Sequence, residues 1–197
     1  MSPSDLRTMQ QFVDYALESW HQGGLMRWAD SDMPVEMRDE TRPIVDDSIP
    51  WKPIPSTVSA GDLEALEERI ELQYPALYKE FLRYQHFYEF WPEQQINFFP
   101  HVIAQWKDRL LAGYFQSWEP AKLIGQRYIY FADYSDWGIL CFDTNNQRPE
   151  DNDCPIVLID HELLYDEPLP MTILYASFAD LMRSLRAVQE NPRQLEE

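Results

Sequence analysis

Residues 128–142 read Tyr128-Ile129-Tyr130-Phe131-Ala132-Asp133-Tyr134-Ser135-Asp136-Trp137-Gly138-Ile139-Leu140-Cys141-Phe142. Two runs of β-branched and aromatic residues flank a turn-rich segment, Asp133 to Gly138, which predicts a β-hairpin with a longer loop. A third run, Pro155-Ile156-Val157-Leu158-Ile159, follows the polar loop Asp143 to Asp153. On this reading the two loops face the same way only if the strands pair as neighbours.

Around this β centre the chain has helical spacing. Ser2-Pro3-Ser4-Asp5 has the form of a capped start, and Leu6, Met9, Val13, Ala16, Leu17 and Trp20 follow at helical intervals until Gly23-Gly24. Residues 25–50 lose that pattern and read as a connecting or wrapping segment with one short helical turn. Ile49 to Pro55 reads as extended chain, because each proline biases its predecessor away from helix. Ser59 with Asp62 opens a second helix with the stripe Leu63, Leu66 and Ile70. Pro75 ends it and starts a third, with Leu77, Tyr78, Phe81, Leu82 and Tyr84 on its apolar face. Ile96–Phe99 is expected as a strand, Val102–Phe115 as a helix and Ser177–Val188 as a closing helix. Helices first, strands in the middle and a helix last predict an α+β fold: a single antiparallel or mixed curved sheet flanked by helices. The organisation expected is an N-terminal helical extension over 1–48, a domain over 49–190 and a frayed tail over 191–197.

Composition limits the function classes. The 197 residues carry 16 basic and 34 acidic side chains, a formal charge of −18, with 45% hydrophobic residues. That apolar content supports a packed core, while the charge disfavours nucleic acid and anionic membrane as direct ligands. A strongly acidic globule instead attracts basic partners from a distance. No run approaches the roughly 20 apolar residues of a membrane span. The start of the chain lacks the basic and apolar regions of a signal peptide, and two cysteines make no disulfide framework. The expectation is a soluble, reduced, cytoplasmic protein.

The charge has a direction along the chain. Between Asp133 and Glu167 ten acidic residues face Arg148 alone, a net −9, whereas Gln94 to Ala132 carries a net +2. Acidic loops between strands keep a protein soluble, and that reading stays open. The sharper alternative is a protein-binding surface with aromatic anchors, comprising Asp133, Tyr134, Asp136, Trp137, Asp143, Glu150, Asp151, Asp153, Asp160 and Glu162.

Catalytic signals are weak. Asp160-His161-Glu162 sets a histidine between two carboxylates, but in a strand neighbours point to opposite faces. His21, His86 and His101 are isolated. Cys141 lies in an apolar run, and Cys154 in acidic surroundings that raise a thiol pKa. Trp51 and Trp137 are large enough to stack a ligand, yet buried core is the commoner role of such rings. No glycine-rich phosphate loop or nucleophile elbow occurs. No catalytic residue, metal site or cofactor is assigned.

Three segments together resemble the SUKH superfamily, which includes fungal cell-wall regulators and many bacterial immunity proteins. They are Ile49-Pro50-Trp51 through Ser59 to Tyr74-Pro75-Ala76-Leu77-Tyr78-Lys79-Glu80-Phe81-Leu82; Ile129 to Asp133 with Gly138 and Phe142-Asp143; and Pro155-Ile156-Val157 with Asp160-His161-Glu162, then Ser177-Phe178-Ala179-Asp180-Leu181. The resemblance spans about Ile49 to Val188. It departs at Tyr84-Gln85-His86-Phe87, where the family often has Asn-Gly, and does not cover residues 1–48. It implies a binding scaffold rather than an enzyme: an immunity protein that neutralises a cognate toxin, often a nuclease and so basic at its active site. A regulatory or scaffolding adaptor of the same fold is the alternative reading, and a hydrolase using Asp160, His161 and Glu162 a third.

Overall fold

The computed structural model of the chain describes residues 1–29, 33–93, 95–116 and 120–191. Its centre is the expected hairpin. Strand β7 (Tyr128–Tyr134) pairs antiparallel with β8 (Gly138–Asp143), which pairs with β9 (Ile156–Asp160). Two strands on one side, β6 (Ile96–Phe98) and β5 (Phe90–Glu93), and β10 (Thr172–Tyr175) on the other complete an antiparallel sheet of order β10-β9-β8-β7-β6-β5. Gly138 sits close under its neighbours: a Cβ there would lie 2.6 Å from Leu158 Cδ1, the end of a β9 side chain that would have to turn away, and 3.2 Å from the Tyr134 carbonyl oxygen across the turn. Ser135 takes a left-handed backbone in the same turn, at φ 54°.

The alternation of β8 explains why its sequence is apolar throughout. Leu140 and Phe142 face one side with Ile129, Phe131 and Ile156, while Ile139 and Cys141 face the other with Tyr130, Val157 and Ile159. Both faces are therefore covered, and a strand buried on both faces reads as a continuous hydrophobic run. A bulge between Tyr130 and Ala132 turns Phe131 and Ala132 both toward the first face.

Helices α1 (Pro3–Gln22), α3 (Ala76–Leu82) and α6 (Phe178–Glu190) supply Phe12, Tyr78, Phe81 and Phe178 to the first face. Phe131 stacks on Phe142 at 4.1 Å between centroids, and Tyr78 meets Phe142 edge-on at 5.0 Å. Leu123 of α5 (Pro120–Gly125) covers the second face, with α4 (Trp106–Phe115) beside it. Helix α2 (Ala60–Ile70) completes the core with Leu63, Leu66 and Ile70, and opens on the expected Ser59–Asp62 capping box.

The N-terminal helix belongs to this core. Its stripe Met9, Phe12, Val13, Ala16 and Leu17 is buried, and Arg183 of α6 pairs with Asp5 at 2.9 Å. The connecting segment contains a 3₁₀ turn at Val35–Met37 and two short antiparallel ribbons. In these, β1 (Arg27–Trp28) pairs with β2 (Ile49–Pro50), and β3 (Ile54–Pro55) with β4 (Gln85–His86). Trp51 is buried in the first core, so it is not a stacking platform for a ligand.

Several expected boundaries move. Helix α2 ends at Ile70, because Glu71 takes a left-handed conformation at φ 57°, well before Pro75. Tyr84 lies beyond the end of α3, and its hydroxyl instead donates to Asp14 at 2.8 Å. The helix expected from Val102 starts at Trp106, after a turn in which Ala104 has φ 65°. His161 is not in a strand: residues His161–Leu163 form a 3₁₀ turn capped by Asp160, whose carboxylate accepts the Glu162 N–H at 2.9 Å. Residues 192–197 of the expected tail lie outside the described residues.

Candidate functional site: an acidic, aromatic rim

The direction of the strands divides the acidic loops into two groups. Successive loops of an antiparallel meander leave from opposite ends, so the Asp133–Gly138 turn and the Asp143–Asp153 loop face opposite ways although their strands are neighbours. This corrects the expectation that neighbouring pairing would bring those loops together. What the pairing does bring together is the hairpin turn and Asp160–Glu162, since Gly138 is opposite Asp160 and the His161 N–H donates to the Trp137 carbonyl at 3.1 Å.

At the far end, Asp143, Asp151 and Asp153 are engaged within the chain. Asp143 is buried and accepts the Asn145 N–H at 3.2 Å and the Asn146 side-chain amide at 2.7 Å. Asp151 accepts the amino terminus at 2.7 Å, with Arg148 at 3.2 Å. Asp153 is 3% exposed; its Oδ1 accepts the Cys154 and Phe178 N–H groups at 3.0 and 2.8 Å, and its Oδ2 accepts the Ala179 N–H at 3.4 Å and the Arg148 guanidinium at 3.2 Å. It therefore ties the loop to the positive end of α6. Glu150 is exposed in the same loop. Beside these groups burial, and then the Asp153 and Asp143 charges, push the Cys154 thiol up; burial alone does so at Cys141.

The rim at the hairpin end is different. Trp137 is 42% exposed and meets the Tyr134 ring edge-on at 5.8 Å. Tyr134 donates its hydroxyl to Gln95 Oε1 at 2.5 Å, and the Ser135 N–H donates to the Gln95 carbonyl at 2.6 Å. Asp133 pairs across the sheet with Asn97 and Ile139 and takes a hydrogen bond from the Tyr130 hydroxyl. Partial burial pushes its carboxyl up, opposed by that hydroxyl and by the charge of His161 nearby. Asp136 and Glu162 are exposed and Asp160 half-buried.

Next to Asp133 and Asp136 lies a groove of about 360 Å³, lined also by Trp91, Gln95, Ile96, Asn97 and Ser135. Trp91 is 50% exposed. Trp91 was not singled out from sequence, because it lies in the aromatic stretch Phe87 to Phe99, where Phe87, Tyr88, Phe90 and Phe98 are indeed core. The adjacent Pro92 was the available signal: proline in a strand is confined to edges and bulges, and β5 ends the sheet. From β5 to β9 the rim spans roughly 20 Å at the usual strand spacing. A second groove of about 370 Å³, lined by Asp14, Glu18, His21 and Gln85 among others, has its Asp14 held by Tyr84.

Exposed aromatic rings beside exposed carboxylates suit a basic protein surface: the rings supply buried contact area and the acids supply charge complementarity. Among the described residues no group of three His, Cys, Asp or Glu side chains is placed to hold a metal ion. No helix among them is long and apolar enough to cross a membrane.

No curated protein matches the chain. A family model does, over residues 57–184, which runs from the approach to α2 through the hairpin and β10 into α6 and contains the rim. With the larger part of its length matched, and with the α+β architecture described above, this chain belongs to the SMI1 / KNR4 family (SUKH-1).

Proposed function

We propose that the protein is an immunity protein that binds a cognate toxin domain with a basic, nuclease-like active site and neutralises it. The contacts are Asp133, Tyr134, Asp136, Trp137, Asp160 and Glu162, with Trp91 as an added anchor. Asp143, Asp151 and Asp153 hold the opposite end of the sheet together, and Glu150 lies there with them.

One observation carries this reading: two half-exposed tryptophans share one end of the sheet with carboxylates that face solvent. Such rings are the side chains most enriched among residues that dominate binding energy, and the acids around them raise the encounter rate with a basic partner. Family membership supports it, since the SUKH fold serves as a binding scaffold in toxin immunity.

The test is neutralisation. The chain is co-produced with polymorphic toxin domains of basic charge encoded by its own and related strains, and growth is scored. Rescue by the wild type, lost in Trp91→Ala/Trp137→Ala, is the expected result. Rescue unaffected by that double substitution would remove the rim from the interface, and absence of rescue from every toxin, with firm retention of an endogenous housekeeping protein instead, would replace immunity by an adaptor role.

A further inference from the structure

We propose that the groove beside Asp133 is a socket for one arginine side chain of the basic partner protein, which pairs with the carboxylates of Asp133 and Asp136 and lies against the Trp91 ring. The inference rests on the reading of the rim as the partner-binding surface and adds which side chain that surface selects.

Strand alternation sets the walls of the groove on one side of the sheet. Phe90 and Phe98 are buried in the first core, so their neighbours Trp91 and Asn97 point to the opposite face. Asn97 is opposite Asp133, which is in turn opposite Ile139 of the second core, and cross-strand partners share a face. Trp91, Asn97 and Asp133 therefore line one groove, joined by Ser135 and Asp136 of the hairpin turn. The Ser135 N–H donates to the Gln95 carbonyl at 2.6 Å and ties that turn to the strand beside it.

The groove is acidic and set up to accept hydrogen bonds. None of its described lining residues is basic. Asp133 takes the Tyr130 hydroxyl on Oδ1 and the Asn97 amide on Oδ2 at 3.5 Å. A carboxylate has about four acceptor positions, so both oxygens keep capacity for another donor. Partial burial also pushes the Asp133 carboxyl up, a cost that an incoming cation offsets. Asp136 is exposed and adds a second charge at the turn.

Size and shape select the occupant. One helical turn, about 10 Å across and about 5 Å long, fills roughly 400 Å³, more than the groove's volume of about 360 Å³. A single long side chain fits. Trp91 is 50% exposed and offers an indole to a flat cation. A guanidinium stacks on such a ring while its fork of N–H groups meets a carboxylate; an ammonium is a compact, strongly hydrated charge that does neither as well. A second copy of this chain would bring a net charge of −18 against the same acids, so the occupant is the basic partner.

Three capped tripeptides test this on the full-length chain: Gly-Arg-Gly, Gly-Lys-Gly and Gly-citrulline-Gly, the last matching arginine in shape without its charge. Binding is followed by ¹H–¹⁵N NMR. The expected result for the arginine peptide is saturable shifts centred on the Trp91 indole N–H and the Asn97 and Gln95 side-chain amides, with several-fold weaker binding of lysine and no saturation by citrulline. Asp133→Asn and Trp91→Ala, checked for wild-type urea midpoints, should each weaken the arginine peptide, the first by at least about tenfold, while Glu68→Gln on the exposed side of α2 leaves it unchanged. Equal affinities for arginine and lysine, shifts centred away from the groove, or no saturation by the arginine peptide at tens of millimolar would each overturn the assignment. Such a failure leaves toxin neutralisation standing, because that is read by growth rescue. Loss of the immunity reading with arginine binding intact would instead leave a socket for a basic protein of another kind.

Discussion

Replacing Asp153 by alanine separates architecture from interface. Its carboxylate accepts three backbone N–H groups, from Cys154, Phe178 and Ala179, and an Arg148 guanidinium N–H. Hydrogen bonds to a charged acceptor are worth about 1.5–3 kcal/mol each, and truncation leaves the donors buried at the first turn of α6, where the helix dipole also favours a negative charge. These contributions overlap, since the donors share one carboxylate and the loop can relax. The expected loss is therefore about 4 kcal/mol rather than the sum. For a chain of this size that lowers the melting temperature by about 10 °C. Asp153→Asn keeps one oxygen acceptor but no charge, and should cost about half as much. Urea unfolding of both variants, monitored by far-UV circular dichroism, gives the midpoints and slopes. A loss below about 1 kcal/mol in Asp153→Ala, with the wild-type slope, would refute the assignment of Asp153 to the loop–helix junction and return it to the surface available for partners.

Other expectations follow from the same packing. His101 is fully buried against His86, with ring centroids 4.6 Å apart; desolvation, then the His86 charge, hold its pKa down to about 3 from 6.5, so stability is complete above pH 6.5 and falls as pH drops toward 3. The loss from His101 alone by pH 5 is about 2 kcal/mol, and urea midpoints of a folded His101→Phe variant should show a correspondingly flatter pH dependence; parallel profiles would contradict it. Glu67 is buried, accepts the Tyr74 N–H at 2.8 Å and pairs with Lys79 at 3.1 Å, so Glu67→Ala should cost about 3 kcal/mol in thermal or urea unfolding. Cys141 and Cys154 are buried with their thiols pushed up, so a thiol reagent at pH 8 should label both only as fast as the chain unfolds.

The hairpin was legible because strands buried on both faces leave unbroken runs such as Ile139 to Phe142, and the helix starts because Ser2 and Ser59 carry their capping partners three residues on. Strands β5 and β10 were not, being four residues each and preceded or interrupted by prolines. The acidic segment was visible as charge, but its division was not: which end of the sheet an acid occupies depends on strand direction, so Asp143 and Asp136 look alike in sequence and differ in space. Asp153 hides its role for a similar reason, since the amides it holds lie at Phe178 and Ala179. Trp91 was hidden among aromatic neighbours that do form core.

The central claim is that the rim, and not the net charge alone, engages a basic partner. The most direct measurement is the association rate of a neutralised toxin domain as a function of salt, for the wild type, for Asp136→Lys/Glu162→Lys on the rim, and for Glu64→Lys/Glu68→Lys on exposed positions of α2, which changes net charge equally. The account predicts a slower rate and a shallower salt dependence for the rim variant, with the α2 variant close to wild type. Equal loss in both variants would show that the partner responds to overall charge, and the rim would cease to be the binding site.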